Sequence, residues 1–315
     1  SVIVVVPGGR AGRRLLELLV ERTEGDGLVL FPPVITTEGK LPELLYTPQR
    51  PFASELTQLL AWASALRKTP PVVLGEVIQH PPPKEAFSRW LELAELIRRL
   101  HTELAADGLD FGHVAKREKK HTGYHEKGRW ESLRKIQEEY LRILDGLNQW
   151  DIQTARIVGI EKKEFQTERD VVLLGTVDLN RALRLILDQV ADRVTALVHA
   201  PPDWEDRFDE HGCLIPAAWK NAKLNINDAQ IERVDGPADQ ADAVTRWMVS
   251  LGGKYLGEQI VVGVPDESLV PQLERQLAQC SVPTRWVEGN RIAESAPYKL
   301  LEAAAQFAHR RRFTD

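Results

Sequence analysis

Short apolar runs alternate with helix-period segments at both ends of the chain, and this alternation predicts parallel β-structure. Val2–Val6 is an uninterrupted β-branched run, typical of a central parallel strand. Leucines at helical spacing follow it, and Leu28–Phe31 reads as a second strand. The same alternation of strand-like and helix-like segments returns later, with strand-like runs at Val171–Leu174 and Val194–Val198. The pattern therefore predicts the α/β class.

The pattern of apolar residues in the middle of the chain predicts helices instead. From about residue 53 to residue 152, apolar residues recur at helical spacing and strand-like runs are few. The predicted helices include Ser54–Leu66, Lys84–Ala106 and Trp130–Leu144. A long helical interruption of an α/β pattern predicts an inserted subdomain.

The last part of the chain predicts a second α/β region. Strand-like and helix-like runs alternate there in the order Ile231–Val234, Ala238–Ser250, Gln259–Val264, Leu269–Gln279 and Thr284–Val287. We therefore expect two P-loop-NTPase-like, helicase-like parallel-sheet domains with a helical insertion in the first. Residues 1–52 plus 153–228 would form the first domain, 53–152 the insertion, and 229–315 a truncated second domain.

The first strand runs into a glycine turn, where a P-loop would place its phosphate-binding glycines. These are Gly8, Gly9 and Gly12. The Lys and Ser/Thr positions of G-x-x-x-x-G-K-[ST] are occupied by Arg13 and Arg14, so the hydroxyl that would bind Mg²⁺ is missing. We expect no ATP hydrolysis here and treat the turn as a degenerate nucleotide site.

The arginines beside this turn have two interpretations. Arg10, Arg13 and Arg14 flank a helix N-terminus, which suits an anion such as a phosphate group. The alternative is a strand-to-helix turn whose arginines are simply solvated, and the sequence alone leaves both open.

A basic stretch in the helical region is the strongest nucleic-acid candidate. Its cations are Lys116, Arg117, Lys119, Lys120, Lys127 and Arg129. They would neutralise phosphates, and Tyr124 could stack on a base. The alternative is a solvated connector between two helices.

Acidic residues cluster later in the chain without a catalytic pattern. They are Asp203, Glu205, Asp206, Asp209 and Glu210. Paired carboxylates can bind Mg²⁺ for phosphodiester hydrolysis, but no Lys follows a strand in the E-x-K arrangement of a PD-(D/E)XK nuclease. We interpret the cluster as a solvated loop and expect neither a metal site nor a cofactor.

Composition limits the location and the class of the protein. The net charge of −5 gives no global basic signal, so a nucleic-acid contact must be a local patch. Two widely spaced cysteines, Cys213 and Cys280, indicate a reducing compartment. No apolar run approaches the roughly 20 residues of a membrane span. We therefore expect a cytoplasmic protein with no membrane contact.

The order of local patterns resembles the AddB/RecC-like subunits of bacterial double-strand-break repair helicase–nucleases, which carry an inactivated UvrD-like helicase core. The segments that carry the resemblance are VVVPGGRAGRRLLELL, RWESLRKIQEEYLRILDGLNQWD, GTVDLNRA, VDGPADQADAVTRWM, QIVVGVPDESLVPQLERQL and VPTRWVEGNRIAESAPYKLLEAAAQF. In GTVDLNRA, Asp178 and Asn180 stand where the helicase metal-binding acid would follow its strand. A single acid replaces the usual D-E pair there.

This resemblance implies a DNA-binding partner of an active helicase–nuclease subunit, with a nuclease domain beyond Asp315. The chain also starts directly on a strand and ends in a helical stretch, which we interpret as a piece of a longer protein. The leading hypothesis is thus a non-catalytic DNA-binding and scaffolding region. One alternative is an α/β enzyme that binds a nucleotide or sugar phosphate at Gly8–Gly12. Another is a purely structural scaffold.

Overall fold

A computed structural model of the protein describes residues 2–118, 126–220, 222–223, 226–286, 289 and 292–310. The chain divides into two compact units, Ser1–Ala222 and Lys223–Asp315. The domain boundaries expected from the sequence stay a prediction.

A four-stranded parallel sheet forms the centre of the first unit. Its strands are β1 (Ile3–Val6), β2 (Val34–Thr37), β3 (Val171–Leu174) and β4 (Val194–Leu197), in the spatial order β2-β1-β3-β4. In this register Ile3 pairs with both Val34 and Val171, and Val171 pairs with Val194. The class is therefore α/β, as the apolar runs predicted.

The second strand is not where the sequence placed it. Leu28–Phe31 was predicted, but these residues lie in the connection that follows α1 (Gly9–Gly25), and Phe31 is 90% exposed. The strand that pairs with β1 begins at Val34, after two prolines. Proline has no N–H to donate to a ladder, so the pair separates the apolar run from the strand.

The middle of the chain is helical, as its periodicity predicted. Its helices are α2 (Glu55–Lys68), α3 (Pro71–Gly75), α4 (Phe87–Ala106), α5 (Phe111–Glu118) and α6 (Lys127–Gly146). The chain leaves the sheet and returns to it side by side, because Ala53 N–H donates to the Trp150 carbonyl and Trp150 N–H donates to the Pro51 carbonyl. The helices enclose a core of their own around Trp62, distinct from the core on the sheet.

Three further helices return the chain to the sheet region of the first unit. They are α7 (Ile152–Lys162), α8 (Arg181–Leu187) and the short α9 (Pro216–Trp219). The sheet core contains Ile3, Val171 and Leu173 from the strands, with Leu183 and Ile186 from α8. This packing holds α8, and the loop that precedes it, against the end of β3.

The second unit contains helices α10 (Pro237–Ser250), α11 (Val270–Gln279) and α12 (Ala296–Arg310). Its expected parallel sheet is not seen: the described residues of this unit contain no strand. Ile231 and Ile260 have extended backbone angles, yet no described strand pairs with either segment. An apolar run forms a strand only where a neighbouring strand satisfies its N–H and C=O groups. Val287, the last residue of the third predicted strand, lies outside the described residues.

Among the helices of the described residues, none is both long and apolar enough to cross a lipid bilayer. Both cysteines are free thiols; Cys213 is buried and Cys280 is exposed.

Candidate anion-binding site

The strand order creates a crevice at the carboxyl edge of the sheet. From β1 the chain moves to β2 on one side and later to β3 on the other, so the order reverses between β1 and β3. Open α/β sheets bind ligands outside the carboxyl ends of the strands at such a switch point. Two predicted segments follow these strand ends: Gly8–Gly9 after β1 and Gly175–Asn180 after β3.

The N-terminus of α1 lies at this edge with no side chain capping it. Gly8 is the N-cap residue, and the first turn contains no acidic side chain. The first backbone N–H groups of a helix have no partner within the helix. In α1 they are therefore available to an anion, and the positive end of the helix dipole favours one.

Two of the three predicted arginines are available beside this terminus. Arg10 and Arg13 are exposed, and neither makes a hydrogen bond or ion pair to a described residue. A Cβ atom built on Gly9 would lie 3.9 Å from Arg13 Nη1, so this guanidinium lies against the first turn. Arg14 differs, because its Nη1 lies 3.2 Å from Glu17 Oε2 and 3.7 Å from Glu21 Oε1.

The predicted glycines have separate roles. Gly8 and Gly9 form the start of α1, whereas Gly12 is buried inside the helix. A Cβ atom on Gly12 would lie 2.9 Å from Ile35 Cγ2 and 3.4 Å from Val6 Cγ2. Gly12 therefore lets α1 pack closely on β1 and β2. Only Pro7 and Gly8 connect β1 to α1, which is shorter than the loop with which a Walker A sequence surrounds phosphates.

The opposite wall of the crevice is the loop after β3. Gly175 has φ +66°, a left-handed conformation that favours glycine, and it turns the chain out of the strand. Asp178 is exposed in this loop. Asn180 is already used locally, because its Oδ1 accepts a hydrogen bond from Leu183 N–H (2.9 Å) and so caps α8.

Sequence reasoning missed Glu38, which follows β2. Burial raises the pKa of this carboxyl group, and the negative charge of Asp178 raises it further. The interaction places two carboxylates near each other at the carboxyl edge, one following β2 and the other following β3. The sequence signal was the position of Glu38 after a strand, and it was hidden by the misplaced second strand.

The structure describes part of the predicted basic stretch. Lys116 and Arg117 are exposed in the last turn of α5 and make no ion pair to a described residue. Arg129, in the first turn of α6, pairs with Glu126 at 3.3 Å. Lys127 begins α6. Lys119, Lys120 and Tyr124 lie outside the described residues.

The two sets of cations belong to different parts of the first unit. Arg10 and Arg13 lie on the helix that follows β1. The described cations of the basic stretch lie in the last turn of α5 and at the start of α6. The described cations of the two sets therefore lie on different elements, one set on the helix after β1 and the other in the inserted helical region.

Neither protein-family models nor curated protein sequences matched this chain. The geometry of its own residues is therefore the basis for a functional proposal.

Proposed function

We propose that this chain is a non-catalytic, helicase-like DNA-binding region of a recombination and double-strand-break repair nuclease subunit. The observation that carries the proposal is the free N-terminus of α1 with two unpaired arginines, Arg10 and Arg13, at the carboxyl edge of the sheet. Backbone N–H groups at a helix terminus and guanidinium groups are both donors that contact DNA phosphates.

The distribution of positive charge supports a long anion over a small one. The cations beside α1 and those at the end of α5 and the start of α6 belong to separate parts of the first unit, the edge of the sheet and the inserted helical region. A DNA backbone can reach both, since it carries phosphates continuously along its length. Each contact would release counterions, so binding would weaken as salt rises.

Several features argue that any nucleotide chemistry has been lost. The two-residue connection after β1 lacks the length of a Walker A loop, and Arg14 replaces the Mg²⁺-binding hydroxyl. The proposal also includes a second P-loop-like domain, a cytoplasmic location and an active helicase–nuclease subunit as partner. These parts rest on the resemblance of the sequence to AddB/RecC-like subunits.

Fluorescence anisotropy of a labelled forked duplex tests the proposal. We expect binding that ignores ATP-Mg²⁺ and weakens steeply between 50 and 200 mM salt, about tenfold for every two to three phosphate contacts. The double variant Arg10→Ala/Arg13→Ala should bind at least about tenfold more weakly. Its plot of log K against log salt should be shallower by about 2, one unit for each lost contact.

The control is Arg22→Ala, which removes an exposed arginine from the other end of the same helix, where it pairs with Asp26. This variant should bind like the unaltered chain. Absence of DNA binding, or equal losses in the control and the double variant, would remove the proposal's main support.

A second candidate is a small phosphorylated ligand at the switch point. It is favoured by the proximity of Glu38 and Asp178, two carboxylates that could orient sugar hydroxyls beside the helix terminus. Thermal stabilisation by a nucleotide or a sugar phosphate, lost in Arg13→Ala and absent with DNA, would support this candidate over the first.

A further inference from the structure

A tightly held turn lies in the loop after β4. Asp209 N–H donates to the Cys213 carbonyl (2.9 Å), and Asp209 Oδ1 accepts from the backbone N–H groups of His211 (3.0 Å) and Cys213 (2.9 Å). Arg184 of α8 forms an ion pair with Asp209. These contacts fix the position of the residue between them, His211.

The imidazole of His211 is 3% exposed and faces a carboxylate. Its Nε2 lies 2.8 Å from Oδ1 of Asp188, the residue that follows α8. Glu210 adds a second carboxylate, and one ligand-type atom from each of the three side chains lies within 4.8 Å of the others. Asp188 and Glu210 are exposed, so solvent reaches the carboxylate side of this group.

The two ring nitrogens of His211 have different surroundings, and no tautomer satisfies both. Nδ1 is buried and has no hydrogen-bond partner in the described part of the chain. A neutral imidazole carries one N–H and one lone pair. If Nε2 holds the proton, it donates to Asp188 and the Nδ1 lone pair is buried unpaired. If Nδ1 holds it, that N–H is buried without an acceptor and the Nε2 lone pair faces a carboxylate. In the second case a cation between Nε2 and the carboxylates would convert the repulsion into coordination.

We propose that Asp188, Glu210 and His211 form a Zn²⁺ site. Imidazole nitrogen and carboxylate oxygen are ordinary ligands of this ion, whereas Mg²⁺ and Ca²⁺ prefer oxygen alone. Three protein ligands leave a fourth position for water on the exposed side. Tetrahedral coordination at about 2.1 Å separates two ligand atoms by about 3.4 Å. The exposed Asp188 side chain can move away from His211 by the required amount, about half an ångström.

The ion would join two segments that flank β4 in sequence. Asp188 lies before this edge strand and the Glu210–His211 pair lies in the loop after it. Because the unfolded chain does not hold these ligands together, the folded state would bind the ion more tightly and would gain stability from it.

Isothermal titration of the chain with Zn²⁺ alone, after removal of any affinity tag, tests the site. Thermal unfolding with and without the ion gives a second readout. We expect one ion bound in this site and a raised unfolding temperature. Asp188→Asn and Glu210→Gln change exposed side chains and should leave the fold intact, yet each should weaken binding at least about tenfold. His211→Ala should remove it.

His199→Ala is the matched control, because His199 is an exposed histidine near the end of β4 and belongs to no ligand cluster found among the described residues. It should bind Zn²⁺ like the unaltered chain. The proposal fails if the chain does not bind Zn²⁺, if binding survives unchanged in Asp188→Asn and Glu210→Gln, or if the control loses it. None of these outcomes depends on DNA binding.

Discussion

A single buried carboxylate, Asp151, connects three elements of the first unit. Its Oδ2 lies 2.9 Å from His101 Nε2 of α4 and accepts from Thr154 N–H (2.7 Å) at the start of α7. Its Oδ1 accepts from the Tyr140 hydroxyl of α6 (2.7 Å). Tyr140 also stacks on Trp62, with ring centroids 3.9 Å apart. The carboxylate therefore holds the helical region to the segment that leads back to the sheet.

The same carboxylate predicts a dependence of stability on pH. Burial alone would raise the pKa of Asp151, but attraction to His101 and the hydrogen bonds from His101, Tyr140 and Thr154 lower it to about 2, from an ordinary 3.8. Because the pKa is lower in the folded state, this stabilisation is present above about pH 4. It is lost as pH falls towards 2, and it amounts to about 2 kcal/mol.

Urea unfolding between pH 5 and pH 2.5 measures this effect. Asp151→Asn should be less stable than the unaltered chain at pH 5, and the difference should shrink as the pH falls. Asp145→Asn is the control, since this carboxylate is exposed and pairs with Arg50. A constant difference between the Asp151→Asn and unaltered curves would contradict the assignment.

The hydroxyl group of Tyr140 donates the hydrogen bond to Asp151 Oδ1, and its removal tests how much this bond contributes to stability. Burial and the negative charge of Asp151 both raise the pKa of Tyr140, so its hydroxyl stays protonated and donates throughout the neutral range. Tyr140→Phe keeps the ring but leaves Asp151 Oδ1 without its donor. We expect a loss of about 1–3 kcal/mol in the free energy of unfolding, measured by chemical denaturation. A change below about 0.5 kcal/mol would mean that another donor replaces the hydroxyl.

Substitution of Gly12 by alanine should destabilise the fold, whereas the same substitution of Gly9 should not, although both glycines belong to the predicted phosphate-binding turn. Gly12→Ala would place a Cβ atom 2.9 Å from Ile35 Cγ2, so α1 must shift and the unfolding free energy should fall by about 1–3 kcal/mol. Gly9→Ala meets only the flexible end of Arg13, at 3.9 Å, and should leave stability nearly unchanged. Thermal or urea unfolding compares the two variants, and equal losses would contradict a packing role for Gly12.

At the scale of elements, the N-cap of α2 makes a measurable local contribution. Ser54 Oγ accepts a hydrogen bond from Thr57 N–H at 3.1 Å. Ser54→Ala removes this acceptor and should cost about 1 kcal/mol of unfolding free energy. Ser54→Asp retains an acceptor at the same place and should recover most of the loss. If both substitutions cost the same, the cap contributes little.

The elements that the sequence could predict are those whose side chains carry a clear period. The runs at β1 and β3 are apolar because these central strands are covered on both faces, whereas the edge strand β4 alternates partly buried and exposed residues. Helices α4 and α6 repeat apolar residues about once per turn. The predicted bounds of these five elements differ from the observed ones by no more than three residues.

The strand predictions that were wrong are those for which pairing with a neighbouring strand, and not residue composition, decides whether a strand forms. Leu28–Phe31 and Val34–Thr37 are both plausible strands by residue type, and only the register with β1 selects the second. In the second unit the apolar runs at Ile231 and Ile260 have strand-like composition without a strand partner among the described residues. A single sequence reports propensity, whereas a ladder also requires a neighbour at about 4.8 Å.

At the scale of the whole molecule, the candidate sites are assembled from segments far apart in sequence. Gly8, Glu38 and Asp178 follow three neighbouring strands, so they lie along one edge of the sheet because β1 lies between β2 and β3. The expected glycines and arginines after β1 could be found from local motifs, but Glu38 could not, because its strand was misplaced. Asp188 and His211 are likewise 23 residues apart and form no recognisable motif.

The two units differ in how much apolar surface each removes from water. In the first unit, two clusters of buried residues surround the sheet and Trp62. In the described part of the second unit, the buried hydrophobic residues are Ala241, Val270 and Leu277. Val261 there is 85% exposed and Ile292 79%. Segments with few buried apolar contacts open at low free-energy cost, so their amide hydrogens exchange with solvent more readily.

Hydrogen–deuterium exchange of the intact chain should therefore separate the two units. After correction for intrinsic rates, we expect amides of α10 and α11 to exchange at least about tenfold faster than those of β1, β3 and α6. Helices α10 and α11 are regular, so their amides already have hydrogen-bond partners. Faster exchange there would therefore reflect the low stability of the second unit and not a lack of secondary structure. Equal protection would require α10 and α11 to be covered by apolar contacts beyond those of the described residues. The comparison thus asks whether the sparse core of the second unit sets its stability in solution.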